Sequence, residues 1–404
     1  MIFEGKLLKK LEEISIVSES RYQELADNLG VLSGLPGIAL FHFYYAKLLN
    51  DNSQADLGIS IISECIEKIN DGYNYPSFCN GLAGFAWTIE HLYENEFIDL
   101  DTDDFLTSLD DFLYAQMISD FQSGNYDFLH GALGYVFYFF TRFKNTKNNN
   151  LKSRYFDFLK NSINKTREIS SSTVSGLKWN YPKELGNHID CSFGLSHGMT
   201  SIINILLRLN EFPGFQETTK DLIQKGVRFI LETENNNTPG NSLFPHSTSK
   251  NEPYDYNGRV AWCYGDLGIG LTLEKMNQIM GCNDENNLAL RIFNHSAARR
   301  AASDTLVSDA GFCHGSFGNA QIFKRVSQLY PNLGFEDTYE FWMQDGISKA
   351  VHSDGYAGFK QLMGNPPQWE PLLSILEGVN GIGLVMVDYL SSENNTWDEC
   401  LLIS

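Results

Sequence analysis

The chain has 404 residues, of which 43% are hydrophobic and 13% aromatic, so it can bury a large core. Its formal net charge of -20 disfavours nucleic acid as a partner, because phosphate binding requires a basic surface. The charge is compatible with a cationic peptide partner, although most of it is expected to serve solubility.

Several features of the sequence predict a cytoplasmic protein. Lys6, Lys9, Lys10 and Glu12 interrupt the apolar pattern of the N-terminus, which predicts an amphipathic helix and not a signal peptide. No run of about 18 uncharged apolar residues occurs, so no membrane span is expected. The seven cysteines are odd in number and scattered, which favours reduced thiols that serve as metal ligands or core residues.

A short glycine phrase occurs seven times along the chain, and each copy is followed by a strongly apolar run. The phrase is Gly-x-x-Gly or a near match, and the copies span residues 34–381. The seven first glycines are Gly34, Gly81, Gly131, Gly198, Gly265, Gly315 and Gly378. A repeat of this extent argues for one closed architecture, so residues 1–404 are expected to form a single domain.

The apolar runs predict helices that are buried on most of their circumference. Residues 38–45, 135–140 and 202–207 are apolar almost throughout, and their extensions suit helices better than strands. One-sided amphipathic segments, such as residues 57–69 and 219–230, lie between them. This alternation predicts an all-α fold, an α/α toroid of seven inner and about seven outer helices.

Two regions interrupt the repeat. Residues 145–150 are rich in asparagine and are predicted to form a polar loop. Residues around 234–258 are predicted to form a longer irregular insertion, with short strands around Leu243 and Phe244. Both regions are expected at the surface or at the rim of the ring.

The glycine pair is expected to let neighbouring backbones approach closely. It is also expected to leave the N–H groups of the following helix open toward the mouth of the ring. The residues directly before each first glycine should then converge at one end. They are Ser33, Asn80, His130, His197, Tyr264, His314 and Glu377.

Two adjacent copies carry residues that bind soft metal ions. Cys263 and Cys313 each stand two residues before a first glycine, and His314 follows Cys313 directly. Two thiolates and one imidazole suit Zn²⁺ and leave a fourth position open, as in catalytic zinc sites. Their equivalent placement in consecutive copies disfavours the alternative that all three are ordinary core residues. Cys79 shares the register in the second copy, but it is expected to be a core residue because that copy lies away from the other two in a ring of seven.

The chain resembles the LanC family, the lanthionine cyclases. The strongest marks are Trp-Cys-Tyr-Gly at residues 262–265 and Cys-His-Gly-Ser-Phe-Gly-Asn at residues 313–319, supported by Ser-His-Gly at residues 196–198 and Tyr-Asp at residues 126–127. The resemblance covers nearly the whole chain and is closest to the stand-alone cyclases. It implies an α/α toroid and one zinc ion per chain, held by Cys263, Cys313 and His314.

The resemblance also implies the reaction and the partners. Cysteine thiols of a dehydrated precursor peptide, which has a leader and a core, would add to dehydroalanine or dehydrobutyrine to form lanthionine or methyllanthionine rings. A dehydratase and a transporter would be the partners in a biosynthetic complex.

Four residues are predicted to carry the chemistry, and the resemblance supports the importance of Asp127, His197 and Arg259. His197 is predicted to deliver a proton to Cα or to take the thiol proton, with Asp127 orienting it or shuttling the proton. Arg259 and Tyr264 are predicted to hydrogen-bond the enolate oxygen. The alternatives are that Arg259 braces a carboxylate and that Tyr264 only packs. His130 is expected to be a neutral lining residue.

Three other functions are compatible with parts of the pattern. A LanC-like zinc protein could join glutathione or another thiol to an electrophile. A non-catalytic scaffold could bind a peptide, but His197 and Asp127 would have no purpose there. Prenyltransferase subunits also combine zinc with an α/α toroid, but they lack the Cys-His-Gly phrase in the glycine register.

Overall fold

The computed structural model describes residues 2–181, 189–236, 238–249, 252–281 and 287–404. Over those residues the chain is mostly helical, with fifteen α-helices and six short strands. The helices are α1 (Ile2–Arg21), α2 (Leu35–Leu49), α3 (Asn52–Asn70), α4 (Leu82–Glu94), α5 (Thr102–Ser123), α6 (Ala132–Asn145), α7 (Asn149–Glu168), α8 (Met199–Asn210), α9 (Gln216–Leu231), α10 (Asp266–Met280), α11 (Leu288–Ala298), α12 (Ala302–Thr305), α13 (Ser316–Leu329), α14 (Phe335–Ser348) and α15 (Val379–Leu390). The strands are β1 (Ser170–Ser172), β2 (Leu177–Trp179), β3 (Ile189–Ser192), β4 (Ser247–Ser249), β5 (Gln361–Met363) and β6 (Gln368–Glu370). They form three two-stranded antiparallel sheets, β1 with β2, β3 with β4 and β5 with β6.

Seven helices form the buried layer that the repeat predicts. Each begins directly after the first glycine of one copy: α2, α4, α6, α8, α10, α13 and α15. Residues 35–46 of α2 and residues 379–388 of α15 are buried without exception. The helices between them bury a single face, as in α3, which buries Gly58, Ile61 and Cys65. The predicted alternation of buried and one-sided helices is therefore confirmed.

Backbone hydrogen bonds of the preceding turn start these helices. The N–H group of Leu82 donates to the carbonyl oxygen of Tyr75 at 2.9 Å, and that of Ser316 donates to Asp309 at 3.1 Å. The same bond to the seventh preceding residue begins α2, α6 and α15. The expectation of open N–H groups is wrong in these copies, because the chain before each glycine folds back and supplies the acceptors.

The second glycine of the phrase is required by close backbone contacts. A Cβ atom at Gly84 would lie 2.0 Å from the carbonyl oxygen of Phe78 and 2.5 Å from the backbone nitrogen of Val31. At Gly318 it would lie 1.8 Å from the carbonyl oxygen of Phe312. The first contact of Gly84 is within its own turn and the second is with the neighbouring copy, so the predicted close approach of backbones is confirmed.

Contacts between residues divide the chain into two compact sets. One comprises residues up to Leu106 together with Ser308–Ser404. Within it α2 packs against α4 and α15, so the first and last copies of the repeat are neighbours. The other set is Thr107–Val307, within which α8 packs against both α6 and α10. Outer helices pack on the buried helices that precede them, as α3 does on α2 and α9 on α8. No helix among the described residues is long and apolar enough to cross a membrane.

The polar loop is shorter than the sequence predicts. Helix α6 ends at Asn145 and α7 begins at Asn149, so three residues connect them. The side chain of Asn148 accepts hydrogen bonds from the backbone N–H groups of Asn150 and Leu151. The asparagine run therefore contains a helix cap and the start of α7, because an asparagine side chain satisfies the first N–H groups of a helix.

The strand of the insertion also lies elsewhere than predicted. Leu243 and Phe244 are not in a strand, because their N–H groups donate to the buried carboxylate of Asp266 at 2.9 and 3.0 Å. The strand of this region is β4, which pairs with β3 in the register Ser192 opposite Ser247. The insertion is thus tied by its backbone both to the start of α10 and to β3.

Candidate metal and catalytic site

The three predicted metal ligands lie together. One ligand atom each from Cys263, Cys313 and His314 falls within 4.8 Å of the other two. Cys263 is buried, and the other two are partly exposed. Two sulfur atoms and one imidazole nitrogen form a donor set that Zn²⁺ prefers, so the residues present fit this ion. Cys79 is not part of the group; it is buried, with its sulfur 3.3 Å from the Ser33 hydroxyl.

Cys263 is held by the turn that leads into α10. Its carbonyl oxygen accepts hydrogen bonds from the hydroxyl and the N–H group of Ser196, at 3.2 and 3.5 Å. Trp262 is fully buried on one side of it. Gly265 on the other side has a φ of +99°, a conformation that residues with a side chain rarely adopt. The Trp-Cys-Tyr-Gly phrase is therefore an anchored turn that presents the Cys263 thiol.

Cys313 and His314 are held by a second turn. The N–H group of Cys313 donates to the carbonyl oxygen of Leu376 at 2.7 Å. The Nε2 atom of His314 lies 3.2 Å from Oδ2 of Asp309, which is only 1% exposed. If Nε2 donates this hydrogen bond, Nδ1 is left to bind a metal ion, which is the usual arrangement of a carboxylate behind a ligand histidine.

Sequence reasoning missed Asp309. Its carboxylate also accepts hydrogen bonds from the N–H groups of Gly311 and Leu362. Burial acts to raise the pKa of Asp309, but the hydrogen bonds and the charge of His314 outweigh it and hold the pKa below its usual range. The carboxylate is therefore ionised at neutral pH and orients the imidazole. Its position five residues before His314 is the only signal in the sequence, and many acidic residues stand equally close to a histidine.

Asp127 and His197 form a hydrogen-bonded pair. Oδ2 of Asp127 lies 2.6 Å from Nδ1 of His197, and Asp127 is fully buried. Its other oxygen accepts the N–H groups of Leu129 and His130 at 2.9 and 2.7 Å. The carboxylate is thus fixed by its own turn and holds the His197 ring through Nδ1.

Imidazole and phenol rings line the same part of the molecule. The His197 ring lies 6.1 Å from that of His130 and 6.3 Å from that of Tyr264, and His246 lies 6.3 Å from Tyr264 on the edge of its ring. Burial lowers the pKa of His130 more than Asp127 raises it, so this ring is neutral at pH 7, as expected of a lining residue. The Tyr264 hydroxyl is hydrogen-bonded to Tyr181.

A cavity of about 450 Å³ opens beside Cys263. It is lined by Ile189, Ser192, His246, Ser247, Asn257, Gly258, Arg259, Ala261, Cys263, Tyr264 and Leu306. Arg259 is exposed, and over the described ranges no hydrogen bond or ion pair engages its guanidinium group. The alternative that Arg259 braces a carboxylate therefore has no support in this part of the chain.

The family model described as "Lanthionine synthetase C-like protein" matches residues 26–402. The chain belongs to this family. It is 23% identical over 430 residues to the nisin biosynthesis protein NisC of Lactococcus lactis subsp. lactis, an alignment that covers 100% of this chain and 97% of that protein. It is 26% identical over 193 residues to the LanC-like protein GCL1 of Arabidopsis thaliana, covering 45% of this chain and 41% of that protein.

Among solved structures, a nisin cyclase superposes with a TM-score of 0.73 at 20% identity, covering 98% of this chain and 97% of that one. At this identity the likeness shows the fold alone. The fold of this LanC-like protein is therefore the predicted α/α toroid.

Proposed function

We propose that the protein is a zinc-dependent lanthionine cyclase. It would add cysteine thiols of a dehydrated precursor peptide to dehydroalanine or dehydrobutyrine and so close lanthionine and methyllanthionine rings. The observation that carries the proposal is the group formed by Cys263, Cys313 and His314, which lies in a LanC-like chain that also pairs Asp127 with His197. The similarity to the nisin biosynthesis protein NisC supports a role in peptide biosynthesis.

Cys263, Cys313 and His314 would hold one zinc ion per chain, with Asp309 orienting His314. Bound there, zinc supplies a position that favours the thiolate form of a peptide cysteine, whose free pKa is about 8.5. The turns at Ser196 and Leu376 keep the two protein thiols in place for this role.

The chain's own residues would stabilise the charge that the addition creates. When the sulfur bonds to Cβ of the acceptor, negative charge moves to the carbonyl oxygen of that residue. Arg259 has an exposed guanidinium group that no described residue engages; it lines the cavity and is suited to donate hydrogen bonds to this oxygen. Tyr264 lines the same cavity and would assist it.

His197 would take up the proton that the peptide thiol releases and then deliver it to Cα, which returns the ring to its neutral form. Its Nδ1 atom is hydrogen-bonded to the buried Asp127, so Nε2 is the atom that exchanges a proton with the substrate. A non-catalytic scaffold has no use for this pair, which favours a catalytic function.

The wider assignment follows from the same proposal. Residues 1–404 would act as one cyclase domain on a peptide with a leader and a core, working in the cytoplasm. A dehydratase would supply the dehydrated residues and a transporter would remove the product. The net charge of -20 is suited to attract a basic core peptide.

Metal content and thiol consumption, measured together, test the proposal. The wild-type protein should contain one zinc ion per chain and consume the free thiol of a dehydrated test peptide. Cys313→Ala should lose both properties, whereas Cys79→Ala, a buried cysteine outside the group, should keep both. Zinc-free wild-type protein would refute the proposal. If the protein consumed thiol only with glutathione and a small electrophile, it would instead be a LanC-like protein that joins small thiols to electrophiles.

A further inference from the structure

The cavity beside Cys263 is lined by two residues that are proposed to act on the two halves of the substrate. Cys263, one of the candidate zinc ligands, forms part of its wall, so a peptide thiol held at that group would lie at the edge of the cavity. Arg259, the candidate partner of the enolate oxygen, forms another part. The acceptor must bring its Cβ atom to the sulfur and its carbonyl oxygen to the guanidinium group, with reacting atoms about 3–3.5 Å apart. Because Cys263 and Arg259 both line the cavity, a residue bound in it would lie next to both of them.

The size and lining of the cavity suit one amino acid with its flanking peptide groups. Its volume of about 450 Å³ is within the ordinary range of ligand pockets, and it combines apolar surface with a few polar groups. Ile189, Ala261 and Leu306 contribute apolar side chains, and Ser247 and Asn257 can hydrogen-bond peptide groups. Dehydrobutyrine differs from dehydroalanine by one methyl group on Cβ, and such a group is discriminated by apolar walls.

The wall of the cavity is preformed. Asp266 is 2% exposed and binds the N–H groups of Leu243 and Phe244 just before His246. Arg299 donates to the carbonyl oxygen of Gly258 at 2.5 Å, directly before Arg259. Strands β3 and β4 pair across Ser192 and Ser247. These bonds fix the backbone on several sides of the cavity, so the side chains at those places shape its wall.

We propose that this cavity binds the dehydroamino acid that receives the thiol, and that Leu306 and Ile189 determine whether its β-methyl group is accepted. The assignment rests on the proposed function and adds to it the site of the acceptor. Leu306 is the more informative position, since it is 38% exposed and already has a φ of +55°, so another unbranched-Cβ residue adds no new backbone strain.

The test compares two synthetic peptides that differ only in the acceptor, dehydroalanine or dehydrobutyrine. Ring formation by the full-length zinc protein is followed as loss of free thiol. Leu306→Phe narrows the cavity, and kcat/KM for the dehydrobutyrine peptide should fall about 10- to 200-fold more than for the dehydroalanine peptide. Ile189→Phe should show the same bias, and Leu306→Ala should leave dehydrobutyrine accepted.

Leu333→Phe is the matched control, because Leu333 is 52% exposed and lies outside the cavity. It should treat both peptides as the wild type does, and zinc content should be one ion per chain in every variant. Equal effects of Leu306→Phe and Ile189→Phe on both peptides, or no effect on either, would overturn the inference. Failure of the wild type to cyclise either peptide would instead refute the proposed function.

Discussion

Replacing Asp127 with asparagine tests the role of one buried carboxylate. Asparagine keeps an oxygen that can accept the N–H groups of Leu129 and His130, so the turn before α6 is preserved. It replaces the oxygen that faces Nδ1 of His197 with an NH₂ group, which can only donate. The His197 ring must then turn away or move its proton to Nε2. In either state the Nε2 atom of His197 no longer has the position and protonation that proton exchange with the substrate requires.

The expected magnitudes follow from this geometry. A hydrogen bond to a charged group contributes about 1.5–3 kcal/mol to stability and a neutral one about 1 kcal/mol, so the unfolding free energy should fall by about 1–2 kcal/mol. A misdirected general acid should lower kcat by about 10²- to 10⁴-fold. The effect on catalysis should therefore be much larger than the effect on stability.

Single-turnover loss of peptide thiol measures the effect on catalysis, and urea unfolding measures the effect on stability. Zinc content is determined in the same samples, because His197 and Asp127 are not among the proposed ligands. Asp127→Asn with activity within about threefold of the wild type would refute the catalytic assignment, since general acid–base catalysis contributes more than this. If Asp127→Asn lost zinc as well as activity, the assumption that Asp127 and His197 do not contribute to zinc binding would be wrong.

Three further outcomes are expected. Asp309→Asn should weaken zinc binding about 10- to 100-fold in a chelator competition, because it removes the carboxylate behind His314, whereas exposed Asp354→Asn should not. Gly84→Ala should destabilise the fold by about 1–3 kcal/mol because its Cβ meets a carbonyl oxygen at 2.0 Å, whereas Gly5→Ala, with nothing within 4 Å, should stabilise α1 by about 0.5–1 kcal/mol; urea unfolding distinguishes the two. His42 is fully buried and neutral, with a pKa lowered to about 4 by burial, so its contribution to stability is complete above pH 6.5 and is lost as the pH falls toward 4. The unfolding free energy should therefore fall by about 3 kcal/mol from this group as the pH decreases. His42→Gln should make the unfolding free energy less dependent on pH between pH 7 and pH 4.

The inner helices could be predicted because the residues that form each of them are contiguous in the sequence. An apolar run directly after Gly-x-x-Gly has the length and composition of a buried helix, and each of the seven runs forms one. The error at Leu243 and Phe244 has the opposite cause, since their N–H groups are taken by Asp266, more than twenty residues away, and propensity cannot anticipate such a partner. The prediction of open N–H groups at the helix starts was wrong for a related reason. Their acceptors belong to a turn that forms only in the folded chain.

The sequence by itself determined which residues can bind a metal, because thiols and imidazoles at equivalent places in a repeat have few other uses. The resemblance added Asp127 and His197 as candidates, and the structure showed that their side chains are hydrogen-bonded. Only the tertiary structure decided that Asp309 supports His314, that Arg259 is unengaged in the described chain, and that Leu306 lines a cavity. The physical reason is that acidic, basic and leucine side chains are common, so their roles depend on which distant residues the backbone brings within reach.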